Sequence, residues 1–255
     1  KKILDMSKPF DKKDNAIFLW PEGSYSFLNN DNLKDVFNTN FKTNQKIILG
    51  ANTKDKNGNI FNSLVILNSK GEIIDIYNKI HLVPFGEFIP FEDTIKFLNL
   101  KKITFGYQSF SSGVKRNILK INESLVLPLI CYEVIDTGMI NISKNNFDVI
   151  FNISEDGWFD RSIGTYQHFA HSIFRSIEEG KHIFRSTNQG VSASINPLGV
   201  IIKSSKLDKK TVFAENYQIL NNNTPFSVLG NLMFLFLIFL SFLSQLFFKR
   251  YFKLS

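Results

Sequence analysis

A chain of 255 residues, 44% of them hydrophobic, is long enough to bury a full core in one large α/β domain. Its net charge of +7 invites nucleic acid, but the basic residues are scattered through Lys/Asn-rich loops without a dense cluster or an aromatic-interleaved stripe, which argues against that class. A single cysteine, Cys131, excludes an intrachain disulfide and leaves the compartment open.

In chain order, the first apolar run, residues 16–20, reads as a short buried strand stopped by Pro21, with Glu22 and Gly23 in the turn that follows. Residues 31–41 carry Leu33, Val36, Phe37 and Phe41 at helical spacing, and residues 46–51 return as a strand, so the three predict a β-α-β unit. Residues 61–67 and 72–77 flank Asn68-Ser69-Lys70-Gly71 as a hairpin, with Asn62 near its start. The loop that follows holds Pro84, Gly86 and Pro90 and is too punctuated for a regular element; Phe85, Phe88 and Phe91 would order it.

Residues 117–121 and 124–130 predict a second hairpin whose later strand delivers Cys131. Residues 132–144 predict a helix, whose N-terminus would point at the thiol and favour its thiolate. Residues 147–153 form another buried strand, ending in Ser154-Glu155-Asp156-Gly157-Trp158-Phe159. Residues 167–179 are helical, and 182–186, 191–196 and 200–203 are strands, the last pair joined by the turn Asn196-Pro197-Leu198-Gly199.

Residues 226–248 then run without a charge for 23 positions. At about 1.5 Å per residue such a helix spans a bilayer core of about 30 Å. The expected organisation is a catalytic domain over 1–220, a linker over 221–225, a transmembrane helix over 226–248 and a basic tail over 249–255. Lys249, Arg250 and Lys253 place that tail in the cytoplasm by the positive-inside tendency, with the domain on the outer face. The opening Lys1-Lys2-Ile3, with neither initiator Met nor signal peptide, leads to the expectation that this is the C-terminal portion of something longer.

Three reactive residues stand at strand exits: Glu22, Lys79 and Cys131. A lone Cys is ordinarily a small buried hydrophobe. Cysteine catalysis needs a proton acceptor and a positive group where an oxyanion forms; Glu22 can be the first and Lys79 the second. A Cys/His pair competes, drawing on His81, His168, His171 or His182. His168 and His171 lie at i and i+3 on a helix, yet no carboxylate or Cys partner stands at metal-ligand spacing, so packing or hydrogen bonding is expected of them and no metal. Trp158 and Phe159 read as lid or core aromatics.

Taken together, Trp20-Pro21-Glu22, the loop from Asn78-Lys79 to Pro90, Ile130-Cys131-Tyr132-Glu133 and the 152–159 segment resemble the nitrilase (carbon-nitrogen hydrolase) superfamily with its Glu-Lys-Cys triad. Within it, the 81–90 loop, the Cys-Tyr-Glu triplet, Gln167-His168, the 185–190 segment and the terminal apolar helix are similar to the apolipoprotein N-acyltransferase family. The resemblance implies a four-layer α-β-β-α sandwich followed by one C-terminal transmembrane helix, on the periplasmic face of a bacterial inner membrane, and no cofactor. It implies transfer of an acyl chain from a phospholipid to the N-terminal amine of a diacylglyceryl-cysteine lipoprotein, by a ping-pong route through a cysteine thioester. Glu22 would be the general base, Lys79 the oxyanion stabiliser and Cys131 the nucleophile. Glu87, Tyr132 and Glu133 match accessory positions, as does Asn62, and Trp158 and Phe159 are expected to border the cleft.

The implied partners are the membrane, the phospholipid donor and the diacylated lipoprotein acceptor. The family's membrane helices that precede Trp20 are absent, which leaves open a separate chain carrying them. Glu155 and Asp160 stand where Asn and Gly are usual, a departure that bears on local loop shape. A membrane-tethered amidase or nitrilase-type hydrolase and an inactive truncated remnant are the competing readings.

Overall fold

Strands whose alternate residues face two different apolar layers must be apolar throughout, and that is how the central strands of this chain are built. In the computed structural model, which describes residues 2–26, 28, 37, 40–90, 109–141, 146–207, 209–219 and 223–252, they form two sheets. The first has the order β1 (Ile17–Leu19), β2 (Lys46–Lys54), β3 (Ile60–Asn68), β4 (Ile73–Asn78). Its β1–β2 pair is parallel and the others are antiparallel. The second holds β5 (Leu119–Ile121), β6 (Ser124–Ile130), β7 (Val149–Glu155), β8 (His182–Asn188), β9 (Ala193–Ile195) and β10 (Ile201–Ser204), in the reverse of chain order across the sheet. Its centre, β6–β7–β8, is parallel.

The sheets pack face to face. Ile48, Leu64 and Ile66 meet Val126, Ile130, Val149, Phe151 and Ile153 between them. The intervening residues point outward: Ile47, Leu49, Val65 and Leu67 pack with Phe37 and Phe41, while Leu127, Leu129, Ile150 and Ile183 pack under Phe169 of the long helix Ile163–Glu179. That helix is α2, the short Lys2–Ser7 being α1. These layers follow the expected α-β-β-α order of a nitrilase-like fold, although most of the helix expected over 31–41 falls outside the described residues, as does Phe91. The parallel β1–β2 pair needs a crossover connection, which fits the β-α-β reading of that stretch.

One carboxylate ties the two sheets together at the end where the site lies. Glu133, wholly buried, accepts hydrogen bonds from the Tyr77 hydroxyl (2.7 Å) and the Ile80 amide (2.9 Å) on the side of the first sheet. On the side of the second sheet it accepts one from the Ile130 amide (2.8 Å), and the Arg116 guanidinium lies 3.1 Å away.

Two expectations change. The segment after Cys131 is not a helix over 132–144: a single 3-10 stretch, Cys131–Ile135, ends at Asp136 (φ −74, ψ 84), and Gly138 sits in the left-handed region at φ 66. A chain bent at two such positions cannot carry an α-helical hydrogen-bond ladder through them. Residues 142–145 lie outside those described. The apolar run expected as one span over 226–248 is divided at Gly230 (φ 55, ψ −140) into α3 (Pro225–Leu229) and α4 (Leu232–Phe252). Within α4, Leu232–Lys249 is long and apolar enough to cross a membrane, and no residue of that window is buried.

Removing the Glu133 clamp should be costly, because Arg116 and several donors would be left without it. Glu133→Ala is expected to lower stability by about 3–5 kcal/mol, read as a fall in the midpoint of urea unfolding; an unchanged midpoint would mean that the carboxylate does not hold the sheets.

Candidate active site

Glu22 leaves β1 on a turn held against β2: the Trp20 amide donates to the Ile48 carbonyl (2.8 Å) and the Gly50 amide to the Pro21 carbonyl (3.2 Å). The approach is so close that a Cβ on Gly50 would lie 2.4 Å from the Glu22 Cα, so only glycine fits there. Lys79 follows β4 directly. Its amide donates to the Asn62 carbonyl (2.9 Å) and its carbonyl accepts from Gly113 (2.8 Å), which fixes the backbone on both sides. Cys131 follows β6 at φ 49, a conformation unusual for a residue with a Cβ, and turns its side chain out of the strand direction at the mouth of the parallel sheet.

These exits converge. The Lys79 ammonium, 1% exposed, lies 2.9 Å from Glu87 Oε2, 3.0 Å from Glu87 Oε1 and 3.8 Å from Glu22 Oε1. Asn62 joins the two carboxylates, its Nδ2 donating to Glu22 Oε1 (2.6 Å) and Glu87 Oε1 (2.7 Å). The second oxygen of Glu22 accepts from the Glu155 amide (2.7 Å), and that of Glu87 from the Val83 amide (2.8 Å). The Cys131 sulfur faces the Glu155 carbonyl at 3.9 Å. Glu22, Asn62, Lys79 and Glu87 thus come from the first sheet and its loops, and Cys131 from the second.

The electrostatics follow from burial and proximity. Burial, only partly offset by Lys79, holds Glu22 above the usual carboxylate range. Burial pulls Lys79 down, but the charge of Glu22, with Cys131 and Glu87 beside it, outweighs it and leaves the ammonium harder to deprotonate than usual. Burial and the Glu22 carboxylate push the Cys131 thiol up to about 12, against the pull of Lys79 and of a hydrogen bond from Ser154. The thiolate expected at a helix N-terminus is therefore disfavoured: a 3-10 stretch stands where the α-helix was expected, and the Glu22 carboxylate opposes the charge.

Behind Cys131 lies a second polar cluster that the sequence reading did not single out as a site. Asp156, wholly buried, accepts from Ser154 Oγ (2.7 Å) and is paired with Arg185 Nη2 (2.8 Å), while His168 Nδ1 lies 2.9 Å from its Oδ1. Burial works against its ionisation, but Arg185 and His168 hold its carboxyl down at about 2. His168 Nε2 reaches the Cys131 carbonyl at 3.2 Å, so the cluster grips the backbone of the strained residue.

Of the remaining sequence-predicted residues, Glu133 sits beneath the site as the sheet clamp and does not face the cage. Tyr132 and Trp158 are exposed. Phe159 turns inward, its ring centroid 5.4 Å from that of His168. His168 is a hydrogen-bonding residue, as expected, and His81 pairs with Asp136. Glu155 turns its carboxylate to the Gly157 amide and Asn188, so its departure from the usual residue leaves the backbone contacts to Glu22 and Cys131 intact. The missed residues had faint signals: Gly50 interrupts an apolar strand, and Arg185 is a charge inside one, which demands a buried partner.

Residues 28–216 match the carbon-nitrogen hydrolase family model. The chain is 35% identical over 202 residues to the apolipoprotein N-acyltransferase of Rhizobium leguminosarum bv. trifolii, covering 76% of this chain and 38% of that protein. It is 41% identical over 143 residues to the apolipoprotein N-acyltransferase of Rhodopseudomonas palustris, covering 56% of this chain and 27% of that one. The chain therefore spans about two fifths or less of the length of these curated relatives. In fold it is similar to Saccharomyces cerevisiae Nit3, a member of branch 10 of the nitrilase superfamily, with a TM-score of 0.56 at 17% identity over 81% of this chain and 77% of that one. On the family match over most of its length and the layered fold that matches it, the chain belongs to the carbon-nitrogen hydrolase family.

Proposed function

We propose that this chain is the catalytic portion of an acyltransferase that moves a fatty acyl chain from a phospholipid, through a thioester on Cys131, to the N-terminal amine of a diacylglyceryl-cysteine lipoprotein. The observation that carries the reading is the buried cage in which Glu22, Lys79 and Cys131 act on one another's charge. Kinship with proteins named apolipoprotein N-acyltransferase supports the acceptor, and the uncovered apolar helix α4 supports a lipid donor. In this reading α4 spans the bacterial inner membrane, the domain stands on its periplasmic face and the basic tail is cytoplasmic. The membrane helices that the resemblance implies before the domain would come from a preceding segment or a separate chain.

The chemistry follows from the resting charges. A neutral thiol is a weak nucleophile, so its proton must leave as sulfur attacks the ester carbonyl, and Glu22 is the acceptor. Lys79 faces the charge that develops on the carbonyl oxygen. As the tetrahedral adduct collapses, Glu22 returns the proton to the departing glycerol oxygen and the acyl chain remains on Cys131. In the second half the acceptor amine attacks the thioester; Glu22 takes the amine's proton and gives it to the departing sulfur. Asn62 and Glu87 are positioning residues, which hold Glu22 and Lys79 at fixed separation.

The test is mass spectrometry of the chain, reconstituted together with any preceding membrane segment or separate membrane chain in bilayers of phosphatidylethanolamine without acceptor. A mass increase of one acyl chain on Cys131, discharged by a diacylated lipopeptide with a free amine, is expected. Continuous release of fatty acid without acceptor would assign a hydrolase instead, and neither adduct nor turnover would assign an inactive remnant.

Two variants give graded outcomes. Glu22→Gln removes the proton acceptor and should slow acylation of Cys131 by about 10²–10⁴-fold. Asn62→Ala leaves the reacting groups in place but unties Glu22 from Glu87, and should slow it less than Glu22→Gln does; a rate equal to that of the unaltered chain would remove Asn62 from the account.

A further inference from the structure

Helix α2 is polarised the wrong way for a surface helix. Its buried face carries His168, Ser172, Arg175 and Glu179 beside Phe169. Its outward face carries Ile163, Tyr166, Phe174 and Ile177, which are 73%, 54%, 54% and 46% exposed, with the uncharged Gln167 exposed among them. These recur at helical spacing as one stripe, and the stripe holds no charge, since Arg175 and Glu179 are buried and Glu178 is half-buried and paired with Arg175. An exposed apolar stripe of this kind marks a contact with something apolar.

What covers it is indicated by the connection to α4. The hydroxyl of Thr224, the residue that caps α3, donates to the Glu178 carbonyl in the last turn of α2. Asn231, one residue before α4, donates to the Thr137 carbonyl (3.2 Å). The point at which the uncovered apolar helix leaves the domain is therefore fixed beside the C-terminal end of α2. From there α2 runs about 25 Å at the helical rise to its N-terminal turn, where Gly164 lies against Phe159 and Trp158 is 56% exposed. The stripe thus joins the base of α4 to the edge of the candidate site. Tyr and Trp, which favour the boundary between lipid and water, stand at the site end.

We infer that the outward face of α2 lies on the lipid surface as an interfacial helix, so that the bilayer holding α4 continues beneath the domain to the rim of the Cys131 site. The inference rests on the membrane reading of α4 above. It gives a phospholipid a path along apolar side chains, from the leaflet to the Trp158 edge, and it commits the occupant of the stripe to lipid. A second copy of the chain, or a membrane segment of a longer protein, would instead cover the stripe with protein.

The experiment places an environment-sensitive fluorophore on single cysteines in the full chain carrying Cys131→Ser, reconstituted in vesicles of phosphatidylethanolamine and phosphatidylglycerol. The sites are Ile163→Cys and Phe174→Cys on α2, Leu240→Cys on α4 and Lys70→Cys in the β3–β4 turn of the other sheet. Labels at 163, 174 and 240 should emit to the blue, be quenched by doxyl-labelled lipid and lose most of their quenching by aqueous iodide, while the label at 70 does the reverse. Lipid quenching at 240 with iodide quenching at 163 and 174 would overturn the α2 inference and leave the membrane reading standing. Quenching at 174 but not at 163 would also overturn it, since the stripe would not reach the site. Loss of iodide quenching on α2 without lipid quenching would assign the face to protein. No lipid quenching at 240 would overturn the membrane reading and this inference with it.

Discussion

A lysine ammonium with 1% of its surface in water requires counter-charge at contact distance, and Lys79 thereby sets the terms for everything around it. Glu87 meets it with both oxygens and Glu22 with one. Two carboxylates around one ammonium leave an excess of negative charge, and the Asn62 amide and two backbone amides are what make that tolerable. Burial and the Glu22 carboxylate oppose ionisation of the thiol next to this cage, and Lys79 favours it.

The cage exists only because two sheets are held face to face at one end. Four of its members come from the first sheet and its loops, and the thiol comes from the second, so any slip between the sheets separates Glu22 from Cys131. Glu133 opposes that slip from below, and the Asp156–His168–Arg185 cluster grips the Cys131 carbonyl from behind. The chemistry at the surface of the site is therefore supported by two buried polar networks, both charged and both closed by backbone groups.

Much of this was legible in the sequence because the signals are local. Apolar runs ended by Pro21, by the Asn68–Gly71 turn and by Cys131 gave the strands, and Glu22, Lys79 and Cys131 at strand exits pointed to the candidate site. What was illegible is non-local. The need for glycine at position 50 arises from the Glu22 backbone crossing it, and a glycine inside an apolar strand does not say which distant backbone crosses there. The role of Asp156 depends on Arg185, twenty-nine positions away, in the neighbouring strand. The state of the thiol was misread for a related reason: a helix was expected where Asp136 and Gly138 end one turn of 3-10 structure, and burial beside Glu22 outweighed any pull from Lys79. The inverted polarity of α2 was hidden too, since helical spacing identifies two faces without saying which one is buried.

The claim on which the account turns is that Cys131 rests as a neutral thiol because the Glu22 carboxylate and burial outweigh Lys79. It is tested most directly by the pH dependence of thiolate absorbance, taken as the difference between the chain and its Cys131→Ser variant, with and without Glu22→Gln. The account predicts no thiolate in the unaltered chain through neutral and mildly alkaline pH, in keeping with a thiol pushed up to about 12. It predicts titration at lower pH once Glu22→Gln removes the opposing charge and leaves Lys79 to act on the sulfur. Thiolate in the unaltered chain at neutral pH, or identical titrations with and without Glu22→Gln, would contradict it.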